Sequence, residues 1–199
     1  MAILPLFATY VSGNILTEDT SALDHNRHEF KGASNHSQVS KDFRILKKYP
    51  KIEKLLLKKF NEFAKDTLHL DNHDFAITTS WFTKVEKDGY SDFHCHKNCF
   101  YSGVYYYDKY SENTSQIAFL SPVSSFSDFW LSPTEFVIQN SDQYNFTPTK
   151  NLLLLFPSYL RHKVEVHHEE DTRYSLAFNF VPIGEYGSED SLYNTSWFR

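Results

Sequence analysis

The sequence predicts a mainly β protein, a β-sandwich or jelly roll backed by N-terminal helices. Three observations carry this. Aromatic residues make up 17% of the chain, with 18 Phe and 13 Tyr, a composition that suits pleated, half-buried surfaces better than a helical bundle. From Asp74 onward, short apolar or alternating runs are divided by turn residues. A single strongly amphipathic segment precedes them, and its apolar stripe needs a sheet to cover.

Taken in order, Ile3 to Val11 reads as a first strand closed by Ser12-Gly13-Asn14. Thr17 to His28 has helical character, and Lys31 to Ser40 reads as a polar loop. Pro50 opens the clearest helix, in which Ile52, Leu55, Leu56, Phe60 and Phe63 recur at helical spacing with lysines opposite. Leu70-Asp71-Asn72 closes it. Strands are then expected at Phe75 to Val85, Tyr90 to His96, Ser102 to Tyr107, Gln116 to Leu120, Phe136 to Gln139, Leu152 to Phe156, Val164 to His167 and Tyr174 to Val181. Lys87-Asp88-Gly89 supplies one turn, and residues 121–133, rich in Ser, Phe and Pro, read as a long loop. The 199 residues are expected to form one domain, with helical support over about 15–70 and a β core over about 74–182.

A net charge of -5 gives no electrostatic footprint for nucleic acid or an anionic membrane. The apolar start, Met1 to Val11, has no basic flank, makes a poor signal peptide and is too short to span a bilayer. Cys95 and Cys99 are the only cysteines. They are too few for a structural zinc site or a disulfide framework, which suits a reducing cytoplasm. No pattern sets an oligomeric state.

The chemistry concentrates in Asp92-Phe93-His94-Cys95-His96. In an extended strand Asp92, His94 and His96 share a face, with Cys95 on the other. Paired imidazoles are the usual start of a transition-metal site. His162 follows the buried run Leu152 to Phe156 and the break Pro157-Ser158-Tyr159, a placement at the mouth of a barrel that can complete the set. Arg173 and Ser175 share a strand face with Ala177 and Asn179. Arg173 either points inward, to meet a carboxylate, or sits at the wet start of the strand against Asp171 or Glu170. His25, His28, His36, His69, His73, His167 and His168 read as surface or hydrogen-bonded residues.

Several of these segments, in this order, resemble the 2-oxoglutarate/Fe(II) oxygenases of bacteria and tailed phages: Ser80-Trp81, His94 to Asn98, Ser102 to Tyr106, Phe156 to His162, and Thr172 to Asn179. The resemblance covers roughly Ser80 to Gly187. It implies a double-stranded β-helix (a jelly-roll, cupin-like barrel) and the cofactors Fe(II) and 2-oxoglutarate, with O2. It implies a dioxygenase that hydroxylates a substrate as the keto acid is split to succinate and CO2. His162 is similar to the distal metal ligand, Arg173 to the clamp for the far carboxylate of 2-oxoglutarate, and Ser175 to its hydroxyl partner. Asn179 and Tyr105 are expected as contacts near the co-substrate. No catalytic residue is expected beyond the metal site.

The sequence departs from the superfamily's two-histidine, one-carboxylate pattern, because His96 stands where the carboxylate is expected. The metal set is then His94, His96 and His162, or Asp92 replaces His96, or the set begins at His96 with Asn98 beside it. Two rival functions stand beside the dioxygenase: a cupin-like three-histidine enzyme without a keto acid, and a non-catalytic jelly-roll binding module. The substrate, a small molecule or a protein side chain, is expected to be chosen by the loops at Lys31 to Ser40 and Ser121 to Pro133, with Phe126 to Trp130 able to close the pocket.

Overall fold

The computed structural model describes residues 8–33, 36–123 and 132–198. Its strands in chain order are β1 (Ser12–Ile15), β2 (Phe30–Gly32) and β3 (Gln38–Ser40), followed by the one α-helix among the described residues, α1 (Pro50–Asp66). Then come β4 (Asp74–Val85), β5 (Ser91–His94), β6 (Tyr101–Tyr106), β7 (Ile117–Leu120), β8 (Gln143–Phe146), β9 (Leu152–Pro157), β10 (His162–Val164) and β11 (Arg173–Ile183). β12 (Glu185–Tyr186) and β13 (Tyr193–Asn194) form a small ribbon near the end of the chain. A seven-stranded sheet runs β1-β9-β6-β11-β4-β3-β2, and a four-stranded sheet runs β5-β10-β7-β8. All pairings between these strands are antiparallel. Two antiparallel sheets face to face, with the helix outside the larger one, make the expected jelly roll.

The leucine run explains how the layers join. β9 is buried on both faces, so Leu153 and Leu155 pack toward α1 while Leu154 and Phe156 pack between the sheets. α1 begins with Pro50 at its first turn, where a missing N–H costs nothing, and buries Ile52, Leu56, Phe60 and Phe63. Phe60 stacks on Phe180 of β11 at 4.0 Å between ring centroids and meets Phe75 edge-on at 5.0 Å. The second cluster, Val104, Tyr106, Ile117, Phe119, Leu154, Phe156 and Leu160, fills the space between sheets. Gly103 has a packing reason: a Cβ there would lie 2.4 Å from the Phe178 ring.

Several expected elements move. The first strand falls at Ser12–Ile15, pairing Ser12 with Leu155 and Ile15 with Leu152. Residues 8–11 form no strand, and 1–7 lie outside the described residues. Thr17 to His28 holds only a 3-10 turn at His25–Arg27. Glu18, Asp19 and Asp24 accept bonds from the backbone N–H groups of Thr17, Ser21 and Asn26, and such local bonds compete with helix. The helical support is therefore one α-helix and 3-10 turns, with Ile45–Lys48 leading into α1. The polar stretch 31–40 carries β2 and β3, paired Phe30 to Ser40 and joined to β4 through Val39 and Thr83. Phe136 to Gln139 is no strand. Asn140 folds it into a turn by accepting from Val137 N–H and donating to Glu135 O. The strand forms instead at Gln143–Phe146, which is mostly exposed and so lacks an apolar signature.

Candidate metal centre and co-substrate pocket

β10 lies between β5 and β7 in the smaller sheet, and the register sets His162 directly opposite His94. His96 follows β5 where the chain leaves the sheet, and its backbone N–H donates to Ser158 O at 2.9 Å. The donor nitrogens of His94, His96 and His162 all lie within 4.8 Å of one another. Ring centroids are 4.4 Å apart for His94 and His162, 5.1 Å for His96 and His162, and 5.5 Å for His94 and His96. Among the described residues this is the one group of three or more His, Cys, Asp or Glu side chains close enough to hold an ion.

The donor chemistry fits a metal. His94 Nδ1 faces Asp92 O at 2.8 Å, and His162 Nδ1 faces Leu160 O at 2.9 Å. A carbonyl can only accept, so each Nδ1 carries a proton and Nε2 is the ring nitrogen left to face a ligand. Burial, followed by the neighbouring His94, pushes His96 down to about 4. Burial and then His94 push His162 down to about 3, against a weaker lift from its bond to Leu160 O. Both are thus neutral at pH 7, the form that binds metal.

Of the alternatives, Asp92 lines the cavity but is not one of the clustered donors. It contributes its backbone carbonyl to His94. Cys95 and Cys99 are free thiols outside the donor group. Asn98 occupies a left-handed turn position, φ 58°, and does not line the cavity.

The histidines open into a cavity of about 300 Å³ that runs between the sheets to Arg173 and Ser175 on β11. Arg173 is 2% exposed. Its Nε donates to Ser115 O at 3.0 Å, its Nη2 donates to Tyr106 Oη at 3.0 Å, and its guanidinium carbon lies 5.1 Å from the Tyr106 ring centroid. No carboxylate among the described residues forms an ion pair with it, and Glu170 is bound to Lys87 instead. The inward reading of Arg173 therefore holds, and its surface pairing with Asp171 or Glu170 is absent. A buried guanidinium without a counter-ion is costly, and an anion entering the cavity relieves that cost. Ser175 is buried, lines the same cavity, and its hydroxyl has no protein partner among the described residues.

Two expected co-substrate contacts lie elsewhere. Tyr105 faces the helix side of the larger sheet, bonded to Thr20 Oγ1 at 2.7 Å and to Asn151 Oδ1 at 3.1 Å. Strand alternation gives the cavity to its neighbour Tyr106, which sequence reasoning missed. β6 is buried on both faces, so its pattern carries no phase; the arginine's need for a partner was the signal available. Asn179 shares the face of Arg173, yet its amide donates to Thr79 Oγ1 and accepts from Ser102, and it does not line the cavity. Trp81, quoted in the sequence motif without a role, lines the cavity with its ring 5.5 Å from that of His96. Ala33, Ser37 and Val39 of the β2–β3 hairpin add to the wall, in line with the expectation that 31–40 borders the mouth. Phe126 to Trp130 lies outside the described residues.

Residues 79–179 match the family model described as "Putative 2OG-Fe(II) oxygenase". No curated protein matches the chain in sequence. Among solved structures, the fold is similar to an oxidoreductase of the 2OG-Fe(II) oxygenase family from Burkholderia pseudomallei (14% identity, 79% of this chain and 73% of that one, TM-score 0.53). It is also similar to a Pseudomonas putida prolyl-4-hydroxylase (14% identity, 88% and 94%, TM-score 0.57). A third match is HygX from Streptomyces hygroscopicus with nickel, 2-oxoglutarate and hygromycin B bound (12% identity, 92% and 88%, TM-score 0.56). At these identities the structures speak for the fold. No helix among the described residues is long and apolar enough to cross a membrane. With the family match spanning half of the sequence, and a jelly roll gathering three histidines and a buried arginine into one cavity, the chain belongs to the 2OG-Fe(II) oxygenase family.

Proposed function

We propose that this protein is an Fe(II)- and 2-oxoglutarate-dependent dioxygenase that hydroxylates a C–H bond of its substrate, with release of succinate and CO2. The metal ligands in this reading are His94, His96 and His162. The observation that carries it is Arg173, a buried cation without a carboxylate partner among the described residues, lining the same cavity as the three histidines. Iron and the keto acid, when bound, supply the oxidising chemistry with O2. The chain's residues bind, orient and shield.

Arg173 holds the far carboxylate of 2-oxoglutarate through its remaining N–H donors, a match that a guanidinium fork makes with directional, charge-assisted bonds. The Ser175 hydroxyl donates to the same group. Tyr106 Oη already accepts from Arg173, so its own proton is free to donate to the carboxylate. Burial pushes the Tyr106 phenol up, only partly offset by Arg173, which keeps that proton in place at neutral pH. The apolar wall around Val104, Ile117 and Phe156 keeps water from the charged end. The substrate enters past Trp81 and the β2–β3 hairpin. Similar folds are known in a prolyl-4-hydroxylase and in a protein holding hygromycin B, so fold alone does not choose between a protein side chain and a small molecule.

A cupin-like enzyme without a keto acid draws on the same all-nitrogen donor set, but leaves Arg173 with no ligand. Turnover separates the two. The purified protein with Fe(II), O2 and 2-oxoglutarate is expected to form succinate, and His162→Ala to form none. Wild-type protein that binds iron yet leaves 2-oxoglutarate intact, with and without candidate substrates, would rule out the dioxygenase.

A further inference from the structure

A buried polar thread crosses the larger sheet behind the metal centre. Asn179 on β11 lies directly across from Thr79 on β4 and Ser102 on β6. Its Nδ2 donates to Thr79 Oγ1 at 2.9 Å, and its Oδ1 accepts from Ser102 Oγ at 2.8 Å. Ser102 Oγ lies 2.8 Å from Ser158 Oγ. The amide fixes the direction of the whole chain. Ser102 spends its proton on the carbonyl-type oxygen of Asn179, so Ser158 must donate to Ser102. Ser102 is 2% exposed and Ser158 1% exposed, and neither lines the cavity.

Ser158 is where the thread meets the site. Its carbonyl accepts the backbone N–H of His96 at 2.9 Å, and its own N–H donates to Phe100 O at 3.1 Å. It sits in the turn closed by Leu160 N–H to Pro157 O at 2.9 Å, and Leu160 O takes the Nδ1 proton of His162. One turn thus holds the backbone of His96 and the ring of His162, although His96 itself lies outside any strand.

We infer that Asn179, Ser102 and Ser158 act as positioning residues, anchoring the Pro157–Leu160 turn so that His96 and His162 converge. The inference rests on the histidine set proposed above. A connected buried network is held more tightly than its separate bonds, and loses its hold when any link is cut. Outer-layer partners of metal ligands typically carry a 10–100-fold share of metal affinity.

The test uses Co(II) as the probe, with affinity and visible ligand-field spectrum measured on wild type, Ser158→Ala, Asn179→Ala and the double variant, and melting followed in parallel. Ser158→Ala keeps the backbone carbonyl and removes only the hydroxyl link. Each single variant is expected to weaken Co(II) binding about tenfold and to change the spectrum. The double variant should be within about twofold of the weaker single, because the thread is cut only once. Folded variants that melt lower but bind Co(II) within twofold of wild type, with the same spectrum, would overturn the inference while leaving the metal site standing. If Asn179→Ala does not fold, Ser158→Ala decides alone. Wild-type protein that takes up no Co(II), or His162→Ala that binds it as well as wild type, overturns the histidine set and the thread with it.

Discussion

Replacing Arg173 by Leu separates its two roles, which have opposite signs. In the free protein Arg173 is 2% exposed, with Ser115 O and Tyr106 Oη as its side-chain hydrogen-bond acceptors among the described residues. Desolvating a charge without an opposite charge is unfavourable, and an apolar residue of similar volume removes that cost. Against this stand two lost hydrogen bonds from a charged donor and one cation–π contact, together worth about 4–8 kcal/mol, similar in size to the several kcal/mol that desolvating the charge costs. The two effects largely cancel, so the metal-free variant is expected to melt within a few degrees of wild type. Co-substrate binding has no such compensation. Truncating one partner of a buried charge pair costs about 2–5 kcal/mol; taking roughly 3 kcal/mol, the dissociation constant of 2-oxoglutarate rises about 100-fold. Isothermal titration of the Co(II)-loaded protein with 2-oxoglutarate measures this, and titration with Co(II) alone should differ less than about twofold. 2-Oxoglutarate binding within threefold of wild type would refute the clamp. Equal loss of metal and keto acid would show that Arg173 supports the fold instead.

Three further outcomes follow from the same geometry. The folded-state values of His96 (about 4) and His162 (about 3) lie below the ordinary 6.5, so the unfolded chain binds more protons between those values. Stability is therefore full above about pH 6.5 and falls as pH drops through the window. Denaturant melts of the metal-free protein at pH 5.5 should show these two histidines contributing a loss of roughly 2–3 kcal/mol, which the double replacement by Gln removes, leaving a smaller loss from His25 and His28, which burial also pushes down. Phe60→Ala, which removes a fully buried ring stacked on Phe180, should cost about 3–5 kcal/mol in the same melts; a cost under 1 kcal/mol would contradict the packing of α1 on the sheet. His96→Ala should lower Co(II) affinity by at least tenfold, whereas Asp92→Asn should leave it within about threefold. The reverse order would make Asp92 the third ligand.

What the sequence made legible follows from which physical signals are local. The amphipathic helix and the β9 leucine run are long patterns, and both formed where they were read, although the helix ends at Asp66, short of the expected stop at Leu70-Asp71-Asn72. The stretch 31–40 and Gln143–Phe146 became strands without an apolar pattern, because their order comes from pairing with neighbours distant in sequence. The histidines and Arg173 were found by spacing and by family resemblance, and the register of β5 against β10 brings His94 and His162 together. Tyr106 was missed in favour of Tyr105 because β6 is buried on both faces. Asn179 was read as a co-substrate contact from the face it shares with Arg173, but its hydrogen bonds turn it toward Ser102 and Thr79. Strand alternation identifies a face; it does not say whether a side chain on that face spends its polar atoms on the cavity or on the sheet.

The central claim is that the three histidines and Arg173 form one site for iron and 2-oxoglutarate. Anaerobic addition of 2-oxoglutarate to the Fe(II)-loaded protein tests it most directly, by the visible charge-transfer absorption of a keto acid chelated to ferrous iron. The band is expected to saturate at one equivalent, to vanish in His162→Ala, and to require about 100-fold more keto acid in Arg173→Leu. Iron-loaded wild-type protein that develops no band at millimolar 2-oxoglutarate would contradict the account.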